Sequence, residues 1–213
     1  MTLPAGAPPV LAQIAQRFAE TSRGVVVCQL HRLFDVHAGF LKRHEDLMMN
    51  VAYDDGAIVK VHVTSYSIDG KDAGAPDVAS VEQSWSHPNL AGVFAAPFDP
   101  RNFDAYRYTG GGASAIGFTS TVRDAGHGDG SFTYDARYNV VSYTYHPNTL
   151  PPHASSGEIT DARAEVLAGY WAATQETQAY TGHYGPFAAA GTVTVSYANF
   201  RRFPDVASAL TAL

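Results

Sequence analysis

The apolar residues of this chain change their spacing at Gly24. Before it, Leu11, Ile14, Ala15, Phe18 and Ala19 recur at intervals of three and four, the stripe of a helix that buries one face, with Pro9 suited to its start. After it, Val26, Cys28, Leu30, Phe34 and Val36 alternate with Gln29, His31, Asp35 and His37, which sorts two sets onto the two faces of a strand. A chain that opens in this way must lay a helix against a sheet. A second alternating run, Phe40 to Tyr53, leads through Asp54-Asp55-Gly56 into a third, Ala57 to Ile68, so three antiparallel strands are expected behind the helix.

Residues 69–100 are rich in Gly, Pro, Ala and Ser and break the pattern, apart from a short helix expected near Val78 to Trp85; the segment reads as a lid or crossover insert. Alternation then returns in Asp104 to Tyr108, Ser114 to Val122, Gly130 to Tyr134 and Val140 to His146. Further strand-like runs lie near Glu158 to Glu165, Tyr170 to Tyr180 and Thr192 to Arg201, before a short helix from Asp205 to Ala212. Neither interruption is followed by a new pattern, so residues 1–213 read as a single domain with a flexible lead-in over 1–9. The fold class is mainly β (α+β): a single curved antiparallel sheet or half-open barrel, covered by an N-terminal helix and a lid-like insert.

Composition narrows the partners. With Lys+Arg 14 against Asp+Glu 20 the net charge is -6, which argues against nucleic acid and against docking on anionic lipid through basic residues. The hydrophobic content of 46% is enough for a sizeable core, yet no apolar run reaches the roughly 18 to 20 residues of a membrane-spanning helix. Met1 to Pro9 has neither the basic segment nor the apolar core of a signal peptide. The single cysteine, Cys28, excludes an internal disulfide and a thiolate cluster; its place on the apolar side of a strand reads as a packed thiol rather than a nucleophile.

With a hairpin turn at Ala38-Gly39, facing positions on the first two strands have numbers that sum to 77. Cys28 then meets Met49, Leu30 meets Leu47 and Phe34 meets Arg43, while His31 meets Asp46 on the other face. With Tyr53 opposite Ala57, Met49 adjoins Val61 and Leu47 adjoins Val63. On this apolar face Arg32 falls opposite Glu45, with Ser65 beside Glu45. The pair reads either as a cross-strand ion pair at the sheet rim or as a polar anchor, in which Glu45 holds Arg32 toward a ligand carboxylate or phosphate. The candidate ligand-binding set is therefore Leu30, Arg32, Phe34, Glu45, Leu47, Met49, Val61 and Val63. The polar face gathers His31, His44, Asp46, His62 and Thr64. It reads as a solvated face, as a catalytic His-Asp pair, or as a metal site for which His31, Asp46 and His62 are the candidates.

No nucleophile elbow, phosphate loop, zinc-protease motif or dinucleotide fingerprint is present. Gly110-Gly111-Gly112 precedes a strand, which suits a turn better than an anion cradle. The acidic, glycine-rich run Asp124 to Gly130 resembles a calcium turn but lacks the EF-hand register and closing Glu. Tyr106, Tyr108, Tyr134, Tyr143, Tyr145, Trp171 and Tyr180 read as sheet packing rather than a stacking platform. No catalytic residue and no cofactor is assigned, and whether the chain is an enzyme stays open, with a non-enzymatic role favoured.

The amphipathic N-terminal helix, the three strands with Asp54-Asp55-Gly56 between the second and third, the irregular insert and the later strands together resemble the LolA-type lipoprotein carrier superfamily. The resemblance is one of organisation over most of the chain and carries no residue across by position. It implies a half-open antiparallel barrel with an apolar inner face. The function it implies is an extracytoplasmic carrier or sensor, periplasmic or secreted, for a lipid, acyl chain or other apolar ligand. The alternatives are an enzyme or metal-binding protein using the His/Asp face, and an interaction module with a filled core. No nucleic-acid or membrane-spanning partner is expected.

Overall fold

A computed structural model describes residues 3–85, 95–110, 114–124 and 126–213. Helix α1 (Val10–Thr21) is followed by β1 (Val25–Ala38), β2 (Leu41–Asp54), β3 (Ala57–Ile68), the short β4 (Lys71–Asp72) and helix α2 (Ala75–Trp85). A 3-10 turn (Pro100–Ala105) precedes β5 (Tyr106–Gly110), β6 (Ala115–Ser120), β7 (Gly128–Tyr134), β8 (Val140–Pro147), β9 (Ala154–Leu167), β10 (Tyr170–Tyr184), β11 (Phe187–Phe203) and α3 (Val206–Thr211). The strands form one 11-stranded sheet in the order β4-β3-β2-β1-β11-β10-β9-β8-β7-β6-β5. Every described pair is antiparallel. The sheet is open, two meanders joined where the last strand returns to the first.

The turns set the register. Ala38 pairs with Leu41, which makes Gly39-Phe40 the two-residue loop, and Gly39 has a φ of 59°. Glycine at the first central position defines a type II′ turn, whose twist matches the flanking strands. The facing numbers of β1 and β2 therefore sum to 79: Leu30 meets Met49, Arg32 meets Leu47 and Phe34 meets Glu45. This corrects the expected sum of 77, which required Ala38 rather than glycine at the strained position. A slip of two residues moves every pair but keeps every side chain on its face, because the side-chain period is two. At β2–β3, Asp55 and Gly56 both have positive φ, 46° and 79°, the signature of a type I′ turn. Asp69 and Gly70 repeat it at 51° and 74°, so the segment expected to begin the irregular insert first makes another hairpin into β4.

Two bulges adjust β3 against β2, one at Val59 and one at Thr64. Val51 consequently meets Val61, Met49 meets Val63 and Leu47 meets Tyr66, in place of the expected partners Val59, Val61 and Val63. Tyr66 rather than Ser65 is the neighbour of Glu45 on this face.

The inner face carries two apolar clusters. Under α1, Leu11, Ile14 and Ala15 pack with Phe98, Phe103, Tyr106, Tyr108, Ile116, Phe118, Phe132, Val140, Tyr143, Tyr145 and Ile159. Here Phe98 is the hub, edge-on to Phe18 at 5.1 Å and to Phe132 at 5.4 Å. The second cluster spans β3, β2, β1 and β11. On the outer face, α3 covers Val25, Val27 and Ala52 with Ala209, Phe203 and Val206. The helix is held by Asp205, whose Oδ1 accepts the Ser208 amide at 2.7 Å.

Candidate functional site

The second inner cluster contains the apolar half of the expected ligand set. Leu30 and Met49 are fully buried, Leu47 and Val61 nearly so, and Val63 is 8% exposed; Cys28, Val51, Val193 and Val195 complete the patch. Phe34, Tyr53, Tyr66 and Tyr197 stand half-buried around it. Cover comes from α2, whose Val78, Val81 and Trp85 recur at three and four and face the patch. That helix buries none of its own residues fully. Burying an aliphatic side chain contributes about 1.5 to 3 kcal/mol, so three half-covered residues hold α2 far more weakly than the strands hold one another. Among the described residues α2 lies over the patch through these three side chains. Two shallow depressions, of about 260 and 200 Å³, lie off it, the first touching the patch only at Cys28.

A latch fastens the lid. Glu82 of α2 reaches the open edge of β3, where its Oε1 accepts the Val63 amide at 2.8 Å and lies 3.1 Å from His62 Nδ1. The carboxylate thus occupies a backbone donor that an edge strand would otherwise leave to solvent. His62, a metal candidate in the sequence, is a partner of this latch.

At the rim of the cup Glu45, 8% exposed, accepts three hydrogen bonds. Arg32 Nη1 lies 3.3 Å from its Oε2, the Tyr66 hydroxyl 3.2 Å from the same oxygen, and Arg43 Nε 2.6 Å from its Oε1. The bond to Glu45 raises the Arg43 pKa, and burial followed by the Glu45 charge raises that of Tyr66. Arg32 extends over Phe34, its guanidinium carbon 5.4 Å from the ring centroid. The juxtaposition of Arg32 with Glu45 and of His31 with Asp46 exists, but on diagonals of the sheet rather than face to face.

A polar row runs from this rim across the inner face. Direct cross-strand partners link Leu47, Arg32, Val195, Glu176, Asp161, Tyr143 and Phe132 in turn. Asp161 is 1% exposed, and burial pushes its carboxyl up to about 7, with Arg163 opposing and Glu176 adding to the shift. Its Oδ1 has no hydrogen-bond partner among the described residues. Burial also raises the Glu176 carboxyl, whose Oε1 accepts Gln178 Nε2 at 2.6 Å. The sequence reading missed both acids. Their signal was present in part: Asp161 follows the buried Ile159 at a spacing of two and so falls on the face that Ile159 buries.

On the outer face, His31 Nε2 sits 2.9 Å from Asp46 Oδ1 and His44 Nδ1 2.8 Å from Asp35 Oδ1. Among the described residues no three His, Cys, Asp or Glu side chains form a group able to hold a metal. In the acidic loop Asp124 Oδ1 accepts the Gly126 amide at 2.9 Å and lies 2.7 Å from His127 Nδ1, so protein donors occupy the oxygen that a calcium reading needs. Ala125 of that loop, Gly111 and Gly112 of the glycine run, and the 86–94 part of the insert lie outside the described residues. Among those described, no helix is long and apolar enough to cross a membrane.

No family model matches the chain, and no curated protein matches it. Among solved structures it is similar to one described as an outer membrane lipoprotein-sorting protein domain from Vibrio parahaemolyticus, 11% identical over 92% of each chain with a TM-score of 0.47. It is also similar to lipovitellin, 8% identical over 88% of this chain and 26% of that one, TM-score 0.46. A DUF1329 family protein from Desulfovibrio piger is 12% identical over 95% and 97% of the two chains, TM-score 0.36.

Proposed function

We propose that the protein is a non-enzymatic carrier or sensor that holds a lipid, acyl chain or other apolar ligand against the patch around Leu30, Leu47, Met49, Val61 and Val63. The observation that supports this reading is the mismatch between patch and cover: a contiguous apolar sheet face lies under a helix that buries none of its own residues fully. An acyl chain entering beneath α2 replaces Val78, Val81 and Trp85 on that face, exchanging one apolar cover for another. Each CH₂ it buries contributes about 0.8 kcal/mol, without directional chemistry. Met49 suits a cup that accepts irregular chains, because its unbranched thioether adapts to gaps. Arg32 at the rim is the group for an anionic end of such a ligand. In the same proposal the protein works outside the cytoplasm, periplasmic or secreted, as the sequence resemblance implies.

The full burial of Leu30 and Met49 favours a second reading, an interaction module whose core is filled for good. Native mass spectrometry with organic extraction, on protein purified without detergent and then exposed to palmitate, separates the two. A released lipid-sized mass, or one palmitate bound per chain, supports the carrier. A chain that stays bare under both conditions overturns it and leaves the filled module.

A further inference from the structure

Asp161 and Glu176 are direct cross-strand partners on β9 and β10, so their Cβ atoms stand about 4.5 to 5.5 Å apart on one face. Two carboxylates that close, one of them 1% exposed, are neutralised by a proton, as the raised Asp161 carboxyl shows below about pH 7, or by a cation between them above it. Among the described residues none of the chain's own cations is there. Arg163, two residues along β9, stacks its guanidinium over Phe18 and Phe98 at 5.5 and 5.7 Å and donates to the Trp171 carbonyl at 3.2 Å. Arg32, two strands away in the same row, is held by Glu45 at 3.3 Å. Neither acid has an ion-pair partner within 4 Å among the described residues, and Asp161 Oδ1 has no hydrogen-bond partner of any kind among them. A metal ion is a poor occupant, since among the described residues no third acidic, histidine or cysteine ligand joins the pair.

The surroundings suit an organic cation. Tyr143 faces Asp161 from β8 and hydrogen-bonds its side chain, which leaves only Oδ1 unpartnered; Tyr145 faces Ile159, and Tyr180 follows Gln178 along β10, its hydroxyl 3.0 Å from Gln178 Oε1. Such rings offer π faces to an ammonium group. Glu176, Gln178 and Tyr180 are half-buried, which leaves an approach from the inner face. The pair also lies between the two apolar clusters, with Val193 and Val195 on one side and Tyr143 and Ile159 on the other.

We propose that Asp161 and Glu176 form a binding site for the ammonium head of an amphiphile whose chain lies on the neighbouring apolar patch. This assignment rests on the reading of that patch as a ligand cup. The ligand class is a long-chain primary amine or an aminated lipid head.

The test is titration of the full chain at pH 8 with decylamine and with decan-1-ol, followed by calorimetry, for the native chain, Asp161→Asn and Glu176→Gln. Decylamine is expected to bind at least tenfold more tightly than decanol. Each substitution is expected to weaken decylamine about tenfold, roughly 1.4 kcal/mol, and to leave decanol unchanged. Equal binding of the two probes, or equal losses for both in the variants, overturns the amine site and leaves the cup standing. Binding of neither probe removes the cup and the amine site together. Circular dichroism confirms folding, and if Asp161→Asn does not fold, the half-buried Glu176→Gln decides alone.

Discussion

Arg32 and Glu45 meet across a diagonal: their Cα partners are Leu47 and Phe34, yet Arg32 Nη1 lies 3.3 Å from Glu45 Oε2. Glu45 is the shared acceptor of Arg32, Arg43 and Tyr66. Glu45→Ala leaves a partly buried guanidinium and a phenol without their acceptor. It is expected to lower stability by about 1 to 3 kcal/mol, read as a shift of the urea midpoint. Arg32→Ala is expected to cost less, because Arg43 and Tyr66 still satisfy Glu45, while weakening palmitate relative to decanol. An unchanged palmitate affinity removes Arg32 from the ligand site.

Asp161 makes stability depend on pH. Its carboxyl titrates near 7 in the folded chain against an ordinary 3.8, so between those values the folded state holds a proton that the unfolded state has released. Stability therefore falls as pH rises through that window, by about 4 kcal/mol in all above pH 7 as an order of magnitude. The groups facing it are Tyr143 from β8, Glu176 from β10 and Arg163 on its own strand. Glu176, raised as well, adds to the same slope. Asp161→Asn is expected to flatten most of it. Urea midpoints at pH 4, 5.5, 7 and 8 check this, and parallel curves for variant and native chain would refute it.

Glu82→Ala removes the latch on α2. With the Val63 amide and His62 released, the helix is expected to lose about 1 kcal/mol of its attachment. Hydrogen exchange should then speed up at Val63 and through Ala75–Trp85 while β9 to β11 keep their protection, and acyl ligands should enter faster. If exchange stays slow in α2, the helix is held by Val78, Val81 and Trp85 alone.

Cys28 is 1% exposed, and burial pushes its thiol up to about 12. The native chain is expected to resist a thiol reagent at pH 8 and to react with one equivalent in denaturant. Rapid native labelling would show that the cup beneath Leu30 and Met49 opens on its own.

How much of this was legible in the residues differs from element to element. The span Ala57 to Ile68 is β3 as its alternation indicates, and α1 begins behind Pro9 as its stripe requires. Short-range periodicity carries that information, because a helix or a half-buried strand repeats within a few residues. The sorting of Leu30, Leu47, Met49, Val61 and Val63 onto one face survived a register error of two for the same reason. The register itself was legible only through the preference of glycine for the positive-φ position of the turn, which makes Gly39-Phe40 rather than Ala38-Gly39 the loop. Whether Ala38 or Gly39 takes the first central position depends on which backbone twist lets β1 and β2 pair over their full length.

Other features belong to distances in sequence that no local pattern spans. Arg32 shares a cross-strand row with Glu176 and Asp161 only because β11 returns from the far end of the chain to pair with β1. Glu82 finds the Val63 amide only because β3 is left at an open edge that α2 can wrap. The sequence alone determined which residues are apolar, with what period, and hence a helix-covered antiparallel sheet with one apolar face. The tertiary structure alone decided which strands are neighbours. Those neighbours decide whether a buried acid such as Asp161 has a partner, and here the pairing of β8, β9 and β10 surrounds it with a tyrosine and a second acid rather than a cation.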